Sequence, residues 1–439
     1  MKDATREILA RRARHIPRNL SVLYPEDPIH VVRARGQFLY DAAGVEYLDC
    51  MNNVPQVGHS HPRLAEVAAR QLSAVNTNTR FLYEPLVDFA DRLSDLAPES
   101  LEVCYFTNSG SEANELALRL AHAYTQRRGV VALSGAYHGT TTALIDISPY
   151  KFDSPGGNGR APHVQIAAAP DSYRGPYRGP SSAGAYVREI DDAMTRGSEA
   201  GHPAAVLIAE PMLGTGGQIV PPPDYLPAAY TAARKHGALV VADEIQVGLG
   251  RVGTDFWASR ALGGTPDILT LGKPIGNGYP LGAVVTTREI ADAFDNGMEY
   301  FNTFGGSPLS CSIGLEVLNI LRDEELPAHA ASVGQYFMDG FRGLMGTHPV
   351  IGDVRGMGLF IGVEFVIDPA TRHPATALAR TLVSELRKQQ ILMSTDGVDD
   401  NVLKIKPPLV FSRADVDRVL EAVDTTLRRL VTDVASAPR

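Results

Sequence analysis

Apolar side chains in this chain follow different rhythms in different stretches, and each rhythm predicts a different element. Residues 29–34, 37–41 and 47–49 alternate apolar and polar positions, with Gly44 before the last, which predicts short strands in an antiparallel meander. From Pro62 the spacing becomes helical, with proline at the start position. The middle of the chain carries short, continuous apolar runs: Val103-Cys104-Tyr105-Phe106, Val130-Val131-Ala132-Leu133, Ala205-Val206-Leu207-Ile208-Ala209, residues 239–242 and residues 268–271. Several are separated by helical segments. Unbroken apolarity suits a parallel strand covered on both faces, so an α/β domain with a mostly parallel sheet is expected. Residues 151–185 are rich in Gly, Pro, Ser and Arg and read as a long surface excursion. Beyond residue 315 helices return, with strands over 358–365 and 402–406 and a last helix over about 413–431. The expected division is an N-terminal segment 1–60 that contributes to a small domain, a large domain 61–314, and a small α+β domain 315–439.

Composition narrows this picture. With 439 residues the chain exceeds one ordinary core. Hydrophobic content of 44% and charged content of 21% describe an ordinary soluble protein. A net charge of −9 argues against nucleic acid as a partner, because duplex binding rests on Lys and Arg neutralising phosphates. A small anionic ligand feels only the local field and stays open. Cys50, Cys104 and Cys311 are odd in number and far apart, offering neither a disulfide framework nor metal-ligand spacing. They fit a reducing cytosol as small buried hydrophobes. The charged stretch 1–7 lacks the apolar core of a signal peptide, and no apolar run approaches the roughly 20 residues of a membrane span. A cytoplasmic location is expected.

The candidate chemistry sits where the apolar runs end. Leu269-Thr270-Leu271-Gly272 leads straight into Lys273, closed by Pro274 and Gly276-Asn277-Gly278, which holds an amine at a sheet edge. The run before it ends on Asp243. A strand-end Lys with a strand-end Asp is the pair that pyridoxal 5'-phosphate (PLP) requires: the Lys forms the Schiff base, and the Asp holds the pyridinium proton so the ring can accept electrons. In an open α/β sheet, ligands bind beyond the carboxyl ends of the strands. There, Gly110 and Ser111 open a helix and are candidate phosphate donors, although an ordinary capped helix start looks the same. Tyr137 suits the face of a pyridine ring, or core packing, and His138 is a supporting group or a satisfied side chain. Ile245 would pack on the opposite ring face and Gln246 would reach the ring's phenolic oxygen. Glu210 ends another strand, and Thr303 lies between aromatics before a glycine pair.

In this order, Ser109-Gly110-Ser111-Glu112-Ala113-Asn114, Tyr137-His138-Gly139, Asp243-Glu244-Ile245-Gln246 with Gly248-Leu249-Gly250-Arg251, and Gly272-Lys273 resemble the class III aminotransferase family of fold-type I PLP enzymes, over nearly the whole chain. The resemblance implies a large domain with a mostly parallel seven-stranded-type sheet flanked by helices, plus a smaller α+β domain. It also implies that Thr303 reaches the cofactor phosphate of a neighbouring subunit, hence a homodimer with shared sites, with a tetramer as the larger option. Residues 47–54, 76–82, 147–152 and 402–408 resemble most closely the ethanolamine-phosphate phospho-lyase branch. Many class III transaminases of α-amino acids place an Arg where this chain has Lys404. A Lys is a point charge without the planar fork that grips a carboxylate, and suits a phosphate at least as well.

The function this implies is elimination of phosphate from O-phosphoethanolamine, giving acetaldehyde, ammonia and inorganic phosphate, with PLP returned unchanged. Expelling phosphate needs cations where charge develops. Candidates are Arg80, Lys404 and Lys406, with Asn53 and Tyr24 as neutral donors, each equally readable as a solvated surface residue. The alternative is an omega-type aminotransferase that needs a 2-oxo acid such as pyruvate or glyoxylate. A 5-phosphohydroxylysine phospho-lyase and a non-catalytic binding protein are further readings.

Overall fold

The computed structural model describes residues 3–436. The alternating N-terminal segments form β1 (Val31–Arg35), β2 (Phe38–Asp41) and β3 (Glu46–Asp49), paired antiparallel in sequence. The continuous apolar runs form β4 (Val103–Thr107), β5 (Gly129–Leu133), β7 (Ala204–Ala209), β8 (Leu239–Asp243) and β9 (Ile268–Leu271) of one sheet. Two strands that the apolar pattern does not announce complete it: β6 (Val164–Ala167) and β10 (Gly282–Thr286). The seven strands run in the order β4-β10-β9-β8-β7-β5-β6. Strands β6, β5, β7, β8 and β9 pair parallel, while β10 lies antiparallel between β9 and β4. The stretch 151–185 is therefore not wholly a surface excursion, since β6 within it forms an edge of the sheet. Its four residues sit between Gly- and Pro-rich turns, and the sheet edge orders them.

Helices Gly110–Thr125 and Ala183–Glu199 cover the sheet's faces and meet distinct apolar clusters, one including Leu116, Val206 and Val241, the other Ile190, Leu207 and Val240. Neighbouring side chains on one strand thus bury on opposite sides, which is why these strands are apolar throughout.

The C-terminal part forms β11 (Ile351–Met357), β12 (Phe360–Phe365), β13 (Ile391–Leu392), β14 (Ser394–Asp396) and β15 (Val402–Ile405). Four of these make an antiparallel sheet in the order β11-β12-β15-β14. The fifth, β13, pairs parallel with β3, setting Ile391 opposite Leu48. One apolar cluster runs from Leu269 and Leu271 through Trp257 to Phe337, Phe341 and Phe411. Phe337 and Phe411 stack with ring centroids 6.0 Å apart. Each such side chain contributes roughly 1.5–3 kcal/mol on burial.

Arg251 fastens this cluster to the central sheet. It is fully buried, and its guanidinium donates to the carbonyls of Leu359 at 2.9 Å and Pro407 at 2.8 Å and to Oε1 of Gln56 at 2.6 Å. The turn after β8, the turn before β12 and the segment after β15 are thereby held together. No helix among the described residues is long and apolar enough to cross a membrane.

Candidate active site

A cleft opens beyond the carboxyl ends of β4, β7, β8 and β9. At its floor, Asp243 ends β8 and is buried. Its Oδ2 accepts from Asn114 Nδ2 at 2.8 Å and lies 2.8 Å from His138 Nδ1, while Oδ1 accepts from the Ile245 amide at 3.2 Å. Asn114 Nδ2 also donates to the His138 carbonyl at 2.7 Å, so this one amide ties the acid to the backbone that carries the imidazole. His138 Nε2 is buried with no partner.

Lys273 follows β9 in a short 3₁₀ turn, with φ of 26°, a backbone region that side chains other than glycine rarely adopt. Its amine has no hydrogen-bond or ion-pair partner among the described residues. Desolvation is the largest influence on it and holds its pKa below the usual lysine range, opposed by the negative charges of Asp243 and Glu210. The residue is half-buried and lines the cleft.

The helix Gly110–Thr125 starts at the cleft wall. Ser109 is the cap, accepting from the Glu112 amide at 3.1 Å, so the N–H groups of Gly110 and Ser111 are left without intrahelical partners. Gly110 is required by close approach: a Cβ there would lie 2.5 Å from Ile245 Cδ1. Gly272 is crowded in turn, since its Cβ would lie 2.9 Å from Gly110 Cα. The turn after β4 and the strand end that carries the lysine are thus packed backbone to backbone.

Tyr137 lines the cleft, its ring edge-on to Tyr150 at 6.0 Å, and Ile245 lines it too. Glu210 is buried beside them, accepting from the amides of Gly214 at 2.9 Å and Tyr137 at 3.4 Å. Burial, then the charge of Asp243, raises its pKa. Gln246 also lines the cleft and is held by Asn53, whose Nδ2 lies 3.4 Å from its Oε1, and by Lys406, whose amine lies 2.9 Å from the same oxygen.

The remaining sequence candidates separate. Lys404 of β15 and Lys406 just past its end point to one side, as alternation requires, outside the lining of the cleft, and both face Asp396 of β14, at 3.4 and 3.7 Å. Lys404 keeps partial exposure, whereas Lys406 is fully buried with its amine on Gln246 rather than in open space. Tyr24 is not free as a donor to a ligand. Its hydroxyl donates to the Met393 carbonyl at 2.6 Å and accepts from the Met393 amide at 3.0 Å. Arg80 is exposed, paired with Glu299 at 3.0 Å, with its guanidinium 4.2 Å from the Phe301 ring. Thr303 is exposed and, like Arg80, lies outside the lining of this chain's cleft.

Sequence reasoning passed over Asn114, Asp396 and Lys151. Asn114 is a polar residue on the buried face of an apolar helix, a signal that was available. Lys151 is exposed with its amine 5.6 Å from the Tyr137 ring and 5.2 Å from that of Tyr150.

This donor set fits PLP: an unpartnered, partly desolvated amine, a buried carboxylate beyond a strand end, unpaired amides at a helix start, and an aromatic and a branched aliphatic side chain at the walls. Among the described residues no group of His, Cys, Asp and Glu could hold a metal ion.

The family model "Aminotransferase class-III" matches residues 22–427. An alanine–glyoxylate aminotransferase 2-like protein of Drosophila melanogaster is 42% identical over 421 residues, covering 94% of this chain and 85% of that one. The ethanolamine-phosphate phospho-lyase homolog 1 of Caenorhabditis elegans is 39% identical over 435 residues, covering 96% and 93%. A phospholyase from Arthrobacter, solved in complex with phosphoethanolamine, superimposes with a TM-score of 0.90 at 38% identity, covering 98% of this chain and all of that one. PLP is the cofactor of this group, and a neighbouring structure holds it bound. With the family model spanning nearly its whole length, this chain belongs to the class III aminotransferases, fold-type I enzymes that work with PLP.

Proposed function

We propose that this chain eliminates phosphate from a small phosphorylated amine, phosphoethanolamine first, taking up one water and releasing acetaldehyde, ammonia and inorganic phosphate. The observation that carries this reading is the pair Lys404 of β15 and Lys406 just beyond it, both near enough to Lys273 for their charges to act on one another, with Lys404 where an α-carboxylate-binding transaminase would need a guanidinium fork. The likeness to a phospholyase that binds phosphoethanolamine supports it.

When bound, PLP supplies an aldehyde that captures the substrate amine and a ring that takes up an electron pair. Lys273 would hold the aldehyde carbon, Asp243 the ring nitrogen, Gly110 and Ser111 the cofactor phosphate, and Tyr137 and Ile245 the two ring faces. Asp243, steadied by Asn114 and His138, keeps the proton on that nitrogen. Once displaced by substrate, Lys273 presents a desolvated amine that favours the neutral form and takes the proton from the carbon bearing nitrogen. Lys404 meets the negative charge that grows on the departing phosphate. Glu210 and Gln246 line the cleft beside Lys273 and Asp243.

An experiment separates this reading from transamination: inorganic phosphate and ammonia are followed together, from phosphoethanolamine, with no oxo acid present. Release of both at equal rates supports elimination. A strict need for pyruvate or glyoxylate would establish the aminotransferase reading, which the name of the 42% identical relative favours.

A homodimer belongs to the same proposal. Arg80 and Thr303 flank exposed apolar side chains, Phe81, Leu82, Phe301 and Phe304, and a second copy covering them would bring both residues toward its own cleft.

A further inference from the structure

A polar chain lies beside the cleft, and two of its members, Asp396 and Lys406, have no part in the steps above. Asp396 accepts from Gln218 Nε2 at 2.9 Å, and its oxygens face the amines of Lys404 and Lys406. Lys406, 2% exposed, donates onward to Oε1 of Gln246 at 2.9 Å. The Nε2 of Gln246 faces Glu210 at 3.4 Å, and the neighbouring residue is Gly214, where a Cβ would sit 2.5 Å from that nitrogen.

The two ends of an amide side chain have the same shape, so its partners decide which way it turns. An ammonium group has three donors and no acceptor. While Lys406 is charged, only the oxygen of Gln246 can face it, and the NH₂ group must turn toward Glu210 and the cleft. A neutral amine carries a lone pair and would accept from the NH₂ group, so the opposite orientation would become available. A charged amine at this depth needs an anion beside it. We infer that Asp396 and Lys406 are positioning residues, a relay of a half-buried carboxylate and a buried ammonium that together fix the Gln246 amide with its N–H groups toward the cofactor.

The charges around Lys406 come from every element packed on it. Asp396 stands on β14, Lys404 on β15, Lys273 beyond β9 and Glu210 beyond β7, with the Phe360 ring of β12 at 5.2 Å. Burial presses its pKa down to about 7, Lys404 and Lys273 push the same way, and Asp396 is the strongest influence raising it. Without Asp396 the amine would give up its proton at a lower pH.

The relay acts on the cofactor, so it is tested without substrate and stands or falls separately from the phospho-lyase reading. The visible absorbance and circular dichroism of the holoenzyme are followed against pH. Asp396→Asn, which keeps the shape and removes the charge, is expected to move the midpoint toward lower pH by about one unit. In a Lys406→Met background the same replacement is expected to move it by less than half as much. No shift in either background, or the same shift in both, overturns the relay. If the Asn variant does not accumulate, Asp396→Glu keeps the charge: an unmoved midpoint supports the relay, and a midpoint lowered by a full unit overturns it.

Discussion

Asp243 is paired in register with Thr270 across the β8–β9 ladder, and Lys273 stands three residues beyond that partner. The acid and the amine therefore leave the sheet from adjacent parallel strands on the same edge, and the cleft between them is a product of strand register. Gly272, pressed against Gly110, fixes the height at which the lysine emerges.

Replacing the amine tests the centre of this arrangement. Lys273→Ala is expected to lower kcat by roughly 10³-fold or more and to abolish the visible absorbance of the lysine-linked cofactor. The melting temperature of the cofactor-free protein should not fall, because a desolvated, unpartnered amine is removed. A coloured, active variant would end the assignment.

The leaving-group site is tested by contrast between substrates. Lys404→Ala is expected to reduce kcat/KM for phosphoethanolamine by about 10–100-fold, the effect of one charge-assisted hydrogen bond. Turnover of an amine without a phosphate should fall much less. Equal losses on both would mean that Lys404 does not grip phosphate.

Lys406 gives a pH signature in stability. Its folded-state pKa, about 7, lies below the ordinary lysine value, so between these limits the unfolded chain binds more protons than the native one. Stability then rises with pH across that window and is lowest where the native amine is forced to carry charge. Urea unfolding as a function of pH is expected to show Lys406→Met with a shallower slope, the difference approaching about 1.4 kcal/mol per pH unit for one proton. Parallel slopes would contradict this account.

Arg251 carries the largest structural expectation. Arg251→Leu strands two carbonyls and a glutamine oxygen in a fully buried setting, at about 1–3 kcal/mol for each unsatisfied group. Denaturant unfolding should show a loss of several kcal/mol, with the slope of the transition unchanged. A variant as stable as the parent would mean that water or repacking replaces the guanidinium.

What the sequence made legible follows from which interactions are local. Asp243 and Lys273 could be read because each closes an unbroken apolar run, and Gly110 because the turn before its helix is local. Strand β6 could not, because four residues among glycines and prolines become a strand only when β5 is there to pair with. Asn114 was visible as a polar residue on an apolar face, but its hold on Asp243 depends on a contact across 129 positions. The reach of Tyr24 to Met393 and the burial of Lys406 depend on how distant segments pack, which periodicity does not encode.

The parallel pairing of β13 with β3 has a consequence for biosynthesis. The opening strands emerge from the ribosome early, yet the partner that borders β3 is translated only after almost nine-tenths of the chain. Until then one edge of that small meander is bare, and such edges invite association between nascent molecules. Pausing translation before residue 391 should therefore leave a chain that clumps, and release past that point should relieve it.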